Sequence, residues 1–249
     1  MPLVSEPLFY AVAVPAVLIT GLSKSGFASG FSGIAVPLMA TVVPVPQAAA
    51  IMLPLLLTMD AAGLQQLWRE RDAALVRRLV PGGLLGIVLG TLLFGVLPTK
   101  AVAGVVGALT LLFLAQRLLF PPHPNAPPMP AWLGRICAVL SGFTSFVAHA
   151  GGPPVTAYLL PLKLMPQVLS GTLAVFFASV NVAKVLPYAA LGLIDLRNML
   201  TSAVLLPLAP LGVWVGVKLV RRIDPTWFYR LVHLGMLLSG GKLLWDGLQ

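Results

Sequence analysis

Charged residues and cysteines are scarce in this chain of 249 residues, which has one cysteine, seven acidic residues and three histidines. A single thiol, Cys137, cannot form an internal disulfide, so cysteine usage does not identify the redox compartment. Charged residues make up 9% of the chain, whereas soluble domains carry about 25%. Together with a hydrophobic fraction of 58% and a mean hydropathy of +0.96, this scarcity excludes an ordinary soluble domain and indicates an integral membrane protein.

The sequence also lacks the motifs of soluble catalysis. It has no G-x-S-x-G elbow, Walker loop, dinucleotide fingerprint or H-E-x-x-H pair, and its polar loops are too short for a nucleotide-binding domain. His123 and His233 form no metal-ligand spacing with His149 or Cys137. We therefore expect no enzyme activity, no cofactor, no metal site and no primary pump.

Basic residues outnumber acidic ones, which gives a formal net charge of +9. In so apolar a chain this excess predicts basic cytoplasmic loops beside anionic lipid, and an anionic substrate would favour the same sign. Nucleic acid is not expected as a partner. Glu6 stands where a signal peptide has basic residues, so the first apolar segment is expected to remain in the membrane.

A membrane-spanning helix needs about 20 apolar residues, and ten segments approach that length. They are 5–22, 27–43, 47–67, 77–97, 101–120, 131–149, 153–164, 167–190, 197–220 and 226–247. The second and seventh segments are short. Each predicts either a full span or a half-helix that enters and leaves the same membrane face.

The two halves of the chain resemble each other. VPGGLLGIVLG at 80–90 aligns with LPLAPLGVWVG at 206–216, and Asp60 aligns with Asn181. The pattern predicts an all-α membrane protein with two repeats, 1–120 and 131–249, joined by the proline-rich linker 121–130. Five segments in each repeat would make the repeats inverted relative to each other.

Arginines are concentrated in three places, at 69–78, 117–135 and 221–222. The positive-inside rule predicts that these loops are cytoplasmic. Both termini and the loop 191–197 then lie outside.

Two stretches rich in glycine and serine interrupt the apolar segments, Gly21 to Pro37 and Ser141 to Pro154. Glycine removes side-chain packing and proline removes a backbone donor, so both stretches predict broken helices. Irregular backbone inside a membrane is tolerated only where protein buries it or where it lines a cavity. The two breaks therefore predict the ligand-binding site.

The first break offers a cation and small polar residues. Its candidate substrate-binding residues are Lys24, Ser25, Ser29, Gly30 and Ser32. A cation beside free backbone amides would hold an oxyanion. Alternatively, Lys24 lies at the cytoplasmic end of its segment and extends to the lipid headgroups.

The second break offers hydroxyls, an imidazole and consecutive glycines. Its candidate substrate-binding residues are Thr144, Ser145, His149, Gly151 and Gly152. The hydroxyls could donate to anion oxygens, although membrane Ser and Thr often bond the carbonyl four residues earlier. His149 could donate to an anion, relay protons or simply bond a neighbouring helix.

Asp60 lies inside the third segment, and Asn181, Lys184 and Tyr188 share one face of the eighth. Asn181 and Lys184 are further candidates for substrate binding. A carboxylate inside the membrane is costly and usually faces the bundle interior, so Asp60 is a proton-coupling candidate together with His149. The alternatives are an ion pair between Asp60 and Lys184, or an outward extension of Lys184 to the headgroups.

The stretch SFVAHAGGPPVTAYLLP, together with the earlier glycine-rich break followed by VP, resembles the sulfite exporter TauE/SafE family of bacterial membrane permeases. The resemblance covers essentially the whole chain. It implies transport of sulfite, a sulfonate or another small organic anion across the bacterial inner membrane.

These observations predict a secondary transporter that binds a small anion between its repeats and moves it by alternating access, with proton coupling as a further hypothesis. Its partners would be the anion and the lipid bilayer, and a homo-oligomer is left open. Two alternatives remain, an anion channel and a membrane scaffold subunit that does not transport.

Overall fold

The computed structural model describes residues 4, 6–26, 35–94, 96, 98–119 and 129–248, and all regular structure within them is helical. The helices are α1 (Pro7–Gly26), α2 (Ala35–Met39), α3 (Val45–Leu67), α4 (Ala73–Leu92), α5 (Thr99–Leu119), α6 (Ala131–Ala148), α7 (Gly152–Leu159), α8 (Pro166–Ala190), α9 (Leu196–Leu205), α10 (Leu208–Val220) and α11 (Pro225–Leu248). Short 3₁₀ turns follow α3 and α7, at Trp68–Glu70 and Leu160–Leu162. The all-α prediction is confirmed, and most of the linker 121–130 lies outside the described residues.

Four of the described helices are long and apolar enough to cross a membrane, and α9 with α10 forms a fifth span if that bent pair is counted as one. The four spans are Pro7–Ser25, Pro46–Glu70, Ala73–Leu92 and Pro166–Ala190. α9 and α10 meet at an angle of 45°. Pro207 precedes α10, and its missing N–H removes one helical hydrogen bond at the bend. The chain is therefore a multi-pass membrane protein.

The helix ends follow ordinary capping chemistry. α3 and α8 each have a proline at the first or second position, where no intrahelical donor is needed. The Asp72 carboxylate accepts from the backbone N–H of Ala74 at 2.8 Å and of Leu75 at 2.9 Å, which caps α4. These signals explain why α3, α4 and α8 begin within a few residues of the predicted segments.

The two short helices do not span the membrane. α2 has 5 residues and α7 has 8, so even α7 reaches only about 12 Å. The Tyr158 ring lies against Gly134, near the first turn of α6. α7 therefore returns toward the end from which α6 starts, which favours the half-helix alternative for the seventh segment.

Glycines allow several helix pairs to approach closely. A Cβ on Gly21 of α1 would lie 3.1 Å from the Gly212 Cα of α10, and a Cβ on Gly82 of α4 would lie 2.9 Å from the Arg135 carbonyl oxygen of α6. A Cβ on Gly107 of α5 would lie 2.7 Å from the Gly240 carbonyl oxygen of α11. Small residues at such crossings are typical of membrane helix packing.

α3 and α8 occupy the centre of the bundle. They pack against each other, with α1 and α10 beside α3 and with α4 beside α8. The Asp72 backbone N–H donates to the Thr172 hydroxyl at 3.0 Å, so the end of α3 lies beside the start of α8. The two central helices therefore run in opposite directions.

The arginine-rich loops meet at one end of the bundle, which we call the arginine face. Arg221 donates to the Gln66 carbonyl at 2.8 Å and forms an ion pair with Glu70 at 3.3 Å. Arg78 donates to the Tyr158 hydroxyl at 3.4 Å. A cavity of about 590 Å³ opens beside these groups, lined by residues Ala61, Leu64, Gln65, Gln66, Trp68, Arg69, Glu70 and Arg221.

Candidate functional site

The two central helices and the neighbouring α1 each contain a single charged residue, and all three residues meet in the interior. Lys24 is the only charged residue of α1, Asp60 of α3 and Lys184 of α8. Lys24 is 7% exposed, Asp60 4% and Lys184 0%. Because charged groups inside a membrane are costly, their convergence marks the polar centre of the bundle.

Lys24 and Asp60 form a buried ion pair through the ammonium and Oδ1. The Asn181 side-chain amide donates to the other carboxylate oxygen, Oδ2, at 2.6 Å. The Phe177 ring centroid lies 5.8 Å from the Lys24 ammonium, within cation–π range. Two sequence alternatives are therefore wrong, since Lys24 does not extend to the headgroups and Asp60 pairs with Lys24 instead of Lys184.

Lys24 and Ser25 belong to the last turn of α1, because the helix continues to Gly26. They are not in unwound backbone as the sequence predicted. Leu and other good helix formers carry α1 past Gly21, and glycine alone costs only about 1 kcal/mol there. Three candidates of the first break, Ser29, Gly30 and Ser32, lie outside the described residues.

The second break is shorter than predicted and is confined to His149, Ala150 and Gly151. α6 remains helical through Ala148, so the candidates Thr144 and Ser145 are helical residues. His149 ends α6 in the left-handed conformation, with φ 51° and ψ 25°. This conformation is uncommon for a residue with a side chain. The His149 backbone N–H donates to the Ser145 carbonyl at 3.1 Å.

The His149 imidazole connects the break to two central helices. Its Nε2 lies 3.0 Å from the Ala49 carbonyl oxygen of α3, and its Nδ1 lies 2.9 Å from the Lys184 ammonium of α8. A carbonyl only accepts and an ammonium only donates, so Nε2 carries the proton and Nδ1 is the acceptor. The imidazole is therefore neutral, and Lys184 points inward instead of outward to the headgroups.

Tyr188 supports the imidazole from the same face of α8 as Lys184. Its hydroxyl donates to the Phe146 carbonyl at 2.7 Å, and its ring centroid lies 6.0 Å from that of His149. The side-chain face predicted from the sequence is thus present. The Ala49 carbonyl and the Phe177 ring were missed, because no sequence pattern identifies a backbone carbonyl or one phenylalanine among many as a site group.

The hydroxyls near both breaks bond to backbone carbonyls. Thr144 donates to Leu140 at 2.9 Å and to Ala150 at 3.2 Å, and Ser25 donates to Gly21 at 2.9 Å and to Val213 at 3.0 Å. The alternative that membrane Ser and Thr bond their own helix therefore describes these two residues. Their main effect is to satisfy carbonyls where the helices end or cross.

Glycine is required at 151 because the break lies tightly against α6. The Gly151 carbonyl accepts from the Ser141 hydroxyl at 2.6 Å. A Cβ at Gly151 would lie 2.6 Å from the Ser141 carbonyl oxygen and 2.7 Å from the Ser145 Cβ. Gly152 then opens α7 and is itself buried.

The cluster formed by Lys24, Asp60, His149, Asn181 and Lys184, which we call the polar cluster, lies well inside the bundle. Asp60 is about 10 Å along α3 from Leu67, and Lys184 is about 18 Å along α8 from Thr172 at 1.5 Å per residue. Both reference residues lie near the arginine face. The polar cluster therefore lies about 10–18 Å from the arginine face along these two helices.

The polar cluster has more positive than negative charge. Two ammonium groups face one carboxylate and a neutral imidazole, and within the described chain Lys184 has no carboxylate at ion-pair distance. The Asn181 Oδ1 is buried without a hydrogen-bond partner. The arrangement can therefore accept both a negative charge and a hydrogen-bond donor.

Other features of the described chain are separate from the polar cluster. No group of His, Cys, Asp or Glu residues within it could hold a metal ion. An apolar cavity of about 530 Å³ lies between α5, α6 and α7, and Cys137 and Thr144 are among its lining residues. The polar cavity at the arginine face reaches Ala61, the residue after Asp60.

The sequence was compared with known families, curated proteins and solved structures. The family described as Sulfite exporter TauE/SafE matches residues 13–243. No curated protein and no solved structure matches the chain.

Proposed function

The chain belongs to the sulfite exporter TauE/SafE family, and on that premise we propose that it is a secondary transporter for a small anion such as sulfite or a sulfonate. The family is one of membrane exporters, and this chain has the apolar helices of a multi-pass protein. The bacterial inner membrane is the proposed location.

One observation carries the proposal: within the described chain, the fully buried Lys184 has no carboxylate at ion-pair distance. Its side chain is fully buried, and its hydrogen-bond partner is the neutral imidazole of His149. Removing an ammonium from water costs several kcal/mol unless an opposite charge compensates. A small anion bound beside Lys184 and the break supplies that charge.

The helix packing supports two related halves, 1–120 and 131–249. If α1 corresponds to α6, and α4 to α9 with α10, then α1 against α10 and α6 against α4 are the same contact seen from each half. If α3 likewise corresponds to α8, and α5 to α11, then the contacts of α3 with α8 and of α5 with α11 each join two equivalent helices. This pattern is expected of two repeats related by a pseudo-two-fold axis.

Alternating access would move these halves against each other around the polar cluster. Within the polar cluster, two hydrogen bonds cross between the halves, from Asn181 to Asp60 and from His149 to the Ala49 carbonyl. Both must break or shift when the halves separate, so they would hold the site closed. We propose that the polar cavity ending at Ala61 is the cytoplasmic approach to the site.

The orientation follows from the arginine face. Arg78 and Arg221 lie at this end, and the positive-inside rule assigns such an end to the cytoplasm. The start of α1 and the end of α8 then lie outside.

Proton coupling is proposed at Asp60, with His149 as the second candidate. The Asp60 carboxylate and a bound anion compete for the Lys24 ammonium. Protonation of Asp60 would remove its negative charge and release Lys24 for the anion. A proton gradient could then drive anion movement.

The proposal is tested by flux of radiolabelled sulfite and of methanesulfonate into proteoliposomes. We expect saturable uptake of both anions, and we expect sulfite uptake to respond to a proton gradient. Lys184→Met should reduce it about 10- to 150-fold, the range for a lost hydrogen bond to a charged group of about 1.5–3 kcal/mol. Lys218→Met is the matched control, since Lys218 is exposed on α10 and stacks on Trp214 at 3.4 Å.

Three outcomes contradict the proposal. Unsaturated, purely electrodiffusive flux would indicate an anion channel. Absence of both flux and binding in well-folded protein would indicate a scaffold. Equal losses of flux in Lys184→Met and Lys218→Met would show that transport does not depend on the polar cluster.

A further inference from the structure

We infer that the polar cluster accepts one negative charge per anion, so that a singly charged oxyanion binds as it is and a doubly charged one binds only together with a proton. The inference rests on the proposed function, because it specifies the substrate class of the same site. It follows from the number of charges that face the site and from where each group is held.

All charged groups that could face the site can be named. All seven acidic residues of the sequence are within the described chain, and Asp60 is the one in the polar cluster. Residues 27–34, which follow α1 in the sequence and lie outside the described residues, include no titratable side chain. α2 and α7 contain no charged residue.

Charged and titratable groups on the remaining neighbouring helices face elsewhere. The arginines of α4, α6 and α9 are exposed, namely Arg77, Arg78, Arg135 and Arg197. Lys218 of α10 stacks on Trp214. Tyr188 donates its proton to the Phe146 carbonyl and is neutral in that contact. With both lysines protonated, the cluster has two ammonium groups and one carboxylate, and its net charge is one positive.

The neutral state of His149 follows from geometry. Its Nε2–H donates to the Ala49 carbonyl and its Nδ1 accepts from Lys184. A proton on Nδ1 would place a cation against the Lys184 ammonium at 2.9 Å. The imidazole therefore adds no charge while these two contacts are intact.

A buried site favours the ligand that brings its total charge to zero. One negative charge balances the polar cluster, whereas two leave an unmatched negative charge. A proton taken up by Asp60 corrects the balance, because the neutral carboxyl no longer holds the Lys24 ammonium. The dianion, the proton and the cluster then sum to zero, and both ammonium groups can bind oxyanion oxygens.

The test is isothermal titration calorimetry of the purified full chain at pH 7, in buffers of different ionisation enthalpy, which gives the number of protons taken up per anion. Methanesulfonate provides one negative charge and sulfate provides two. We expect about zero protons for methanesulfonate and about one for sulfate, with sulfate affinity falling about tenfold per unit rise in pH.

Three variants change the charge in known ways. Asp60→Asn raises the net charge by one, so sulfate should bind without proton uptake, and its affinity relative to methanesulfonate should rise at least about tenfold. Lys24→Met combined with Asp60→Asn leaves the net charge unchanged but removes the carboxylate that takes up the proton, so it should bind methanesulfonate without a proton and lose most of its sulfate affinity. Asp246→Asn is the control, because Asp246 pairs with Lys242 on α11.

The outcomes separate the inference from the proposed function. Sulfate binding to the wild type without a proton, or methanesulfonate binding with one, overturns the inference while anion binding stands. The double variant decides the question if Asp60→Asn fails to fold, since sulfate binding to it with wild-type affinity, or with uptake of a proton, would also overturn the inference. If neither anion binds, the proposed function itself fails.

Discussion

The ammonium of Lys184 lies 2.9 Å from Nδ1 of His149 and donates to it. This contact joins the middle of α8 to the break after α6, and it makes the imidazole an acceptor on one side and a donor to the Ala49 carbonyl on the other. One side chain thereby connects both halves of the bundle. It also leaves Lys184 as the cation available to an incoming anion.

The first prediction concerns the ion pair of Lys24 and Asp60. Removing one member leaves a buried charge without its partner, so Lys24→Met or Asp60→Asn alone should destabilise the fold by about 3–5 kcal/mol. The combined variant should be far less destabilised than the sum, because no unmatched charge remains from the pair. Unfolding midpoints in detergent, measured for the three variants, check this.

The control for that cycle is Asp60→Asn combined with Lys184→Met. The sequence alternative paired these two residues, but the observed partner of Asp60 is Lys24. If Lys184→Met restored the stability of Asp60→Asn better than Lys24→Met does, the result would contradict the observed pairing of Asp60 with Lys24.

The second prediction separates the backbone role of His149 from its imidazole. The left-handed conformation at φ 51° is available to Asn and Gly. His149→Asn should therefore keep the break and the fold, yet lose the contacts with Ala49 and Lys184 and with them most anion flux. Wild-type flux in well-folded His149→Asn would show that the imidazole is dispensable.

The third prediction concerns the close approach at Gly151. A methyl group there would overlap the Ser141 carbonyl oxygen and the Ser145 Cβ, so Gly151→Ala should cost about 1–3 kcal/mol of stability. Gly241→Ala is the control, since nothing lies within 4 Å of a Cβ at Gly241. In the interior of α11 that change should stabilise by about 0.5–1 kcal/mol. Thermal unfolding midpoints of Gly151→Ala and Gly241→Ala check this. Equal changes of the midpoint in the two variants would contradict the packing described for the break.

The fourth prediction concerns orientation. In a variant whose Cys137 is replaced by serine, a cysteine at Arg222 should react with impermeant reagents only from the cytoplasm. A cysteine at Ile194 should react only from outside, because α8 runs from the arginine face to that loop. Both positions are exposed. Labelling of both from one side would exclude the proposed topology.

Much of the fold could be predicted from the composition and from the residues that mark helix ends. The proline at the start of α8 and the acidic cap of α4 mark helix ends by local chemistry, so the sequence located them within a few residues. The extent of the breaks was not predicted well. α1 and α6 continue through their glycine and serine residues, because packing between helices and hydroxyl bonds to carbonyls compensate for weak local propensity.

The sequence by itself determined that the chain is helical, crosses a membrane and buries a few charged residues, because bilayer transfer energies act on each segment separately. It also identified His149 and the glycines that follow it as part of the second break. Only the tertiary structure decided which charges meet. Ion pairing depends on distances of a few ångströms between helices far apart in the chain, and no pattern along one helix distinguishes Lys24 from Lys184 as the partner of Asp60.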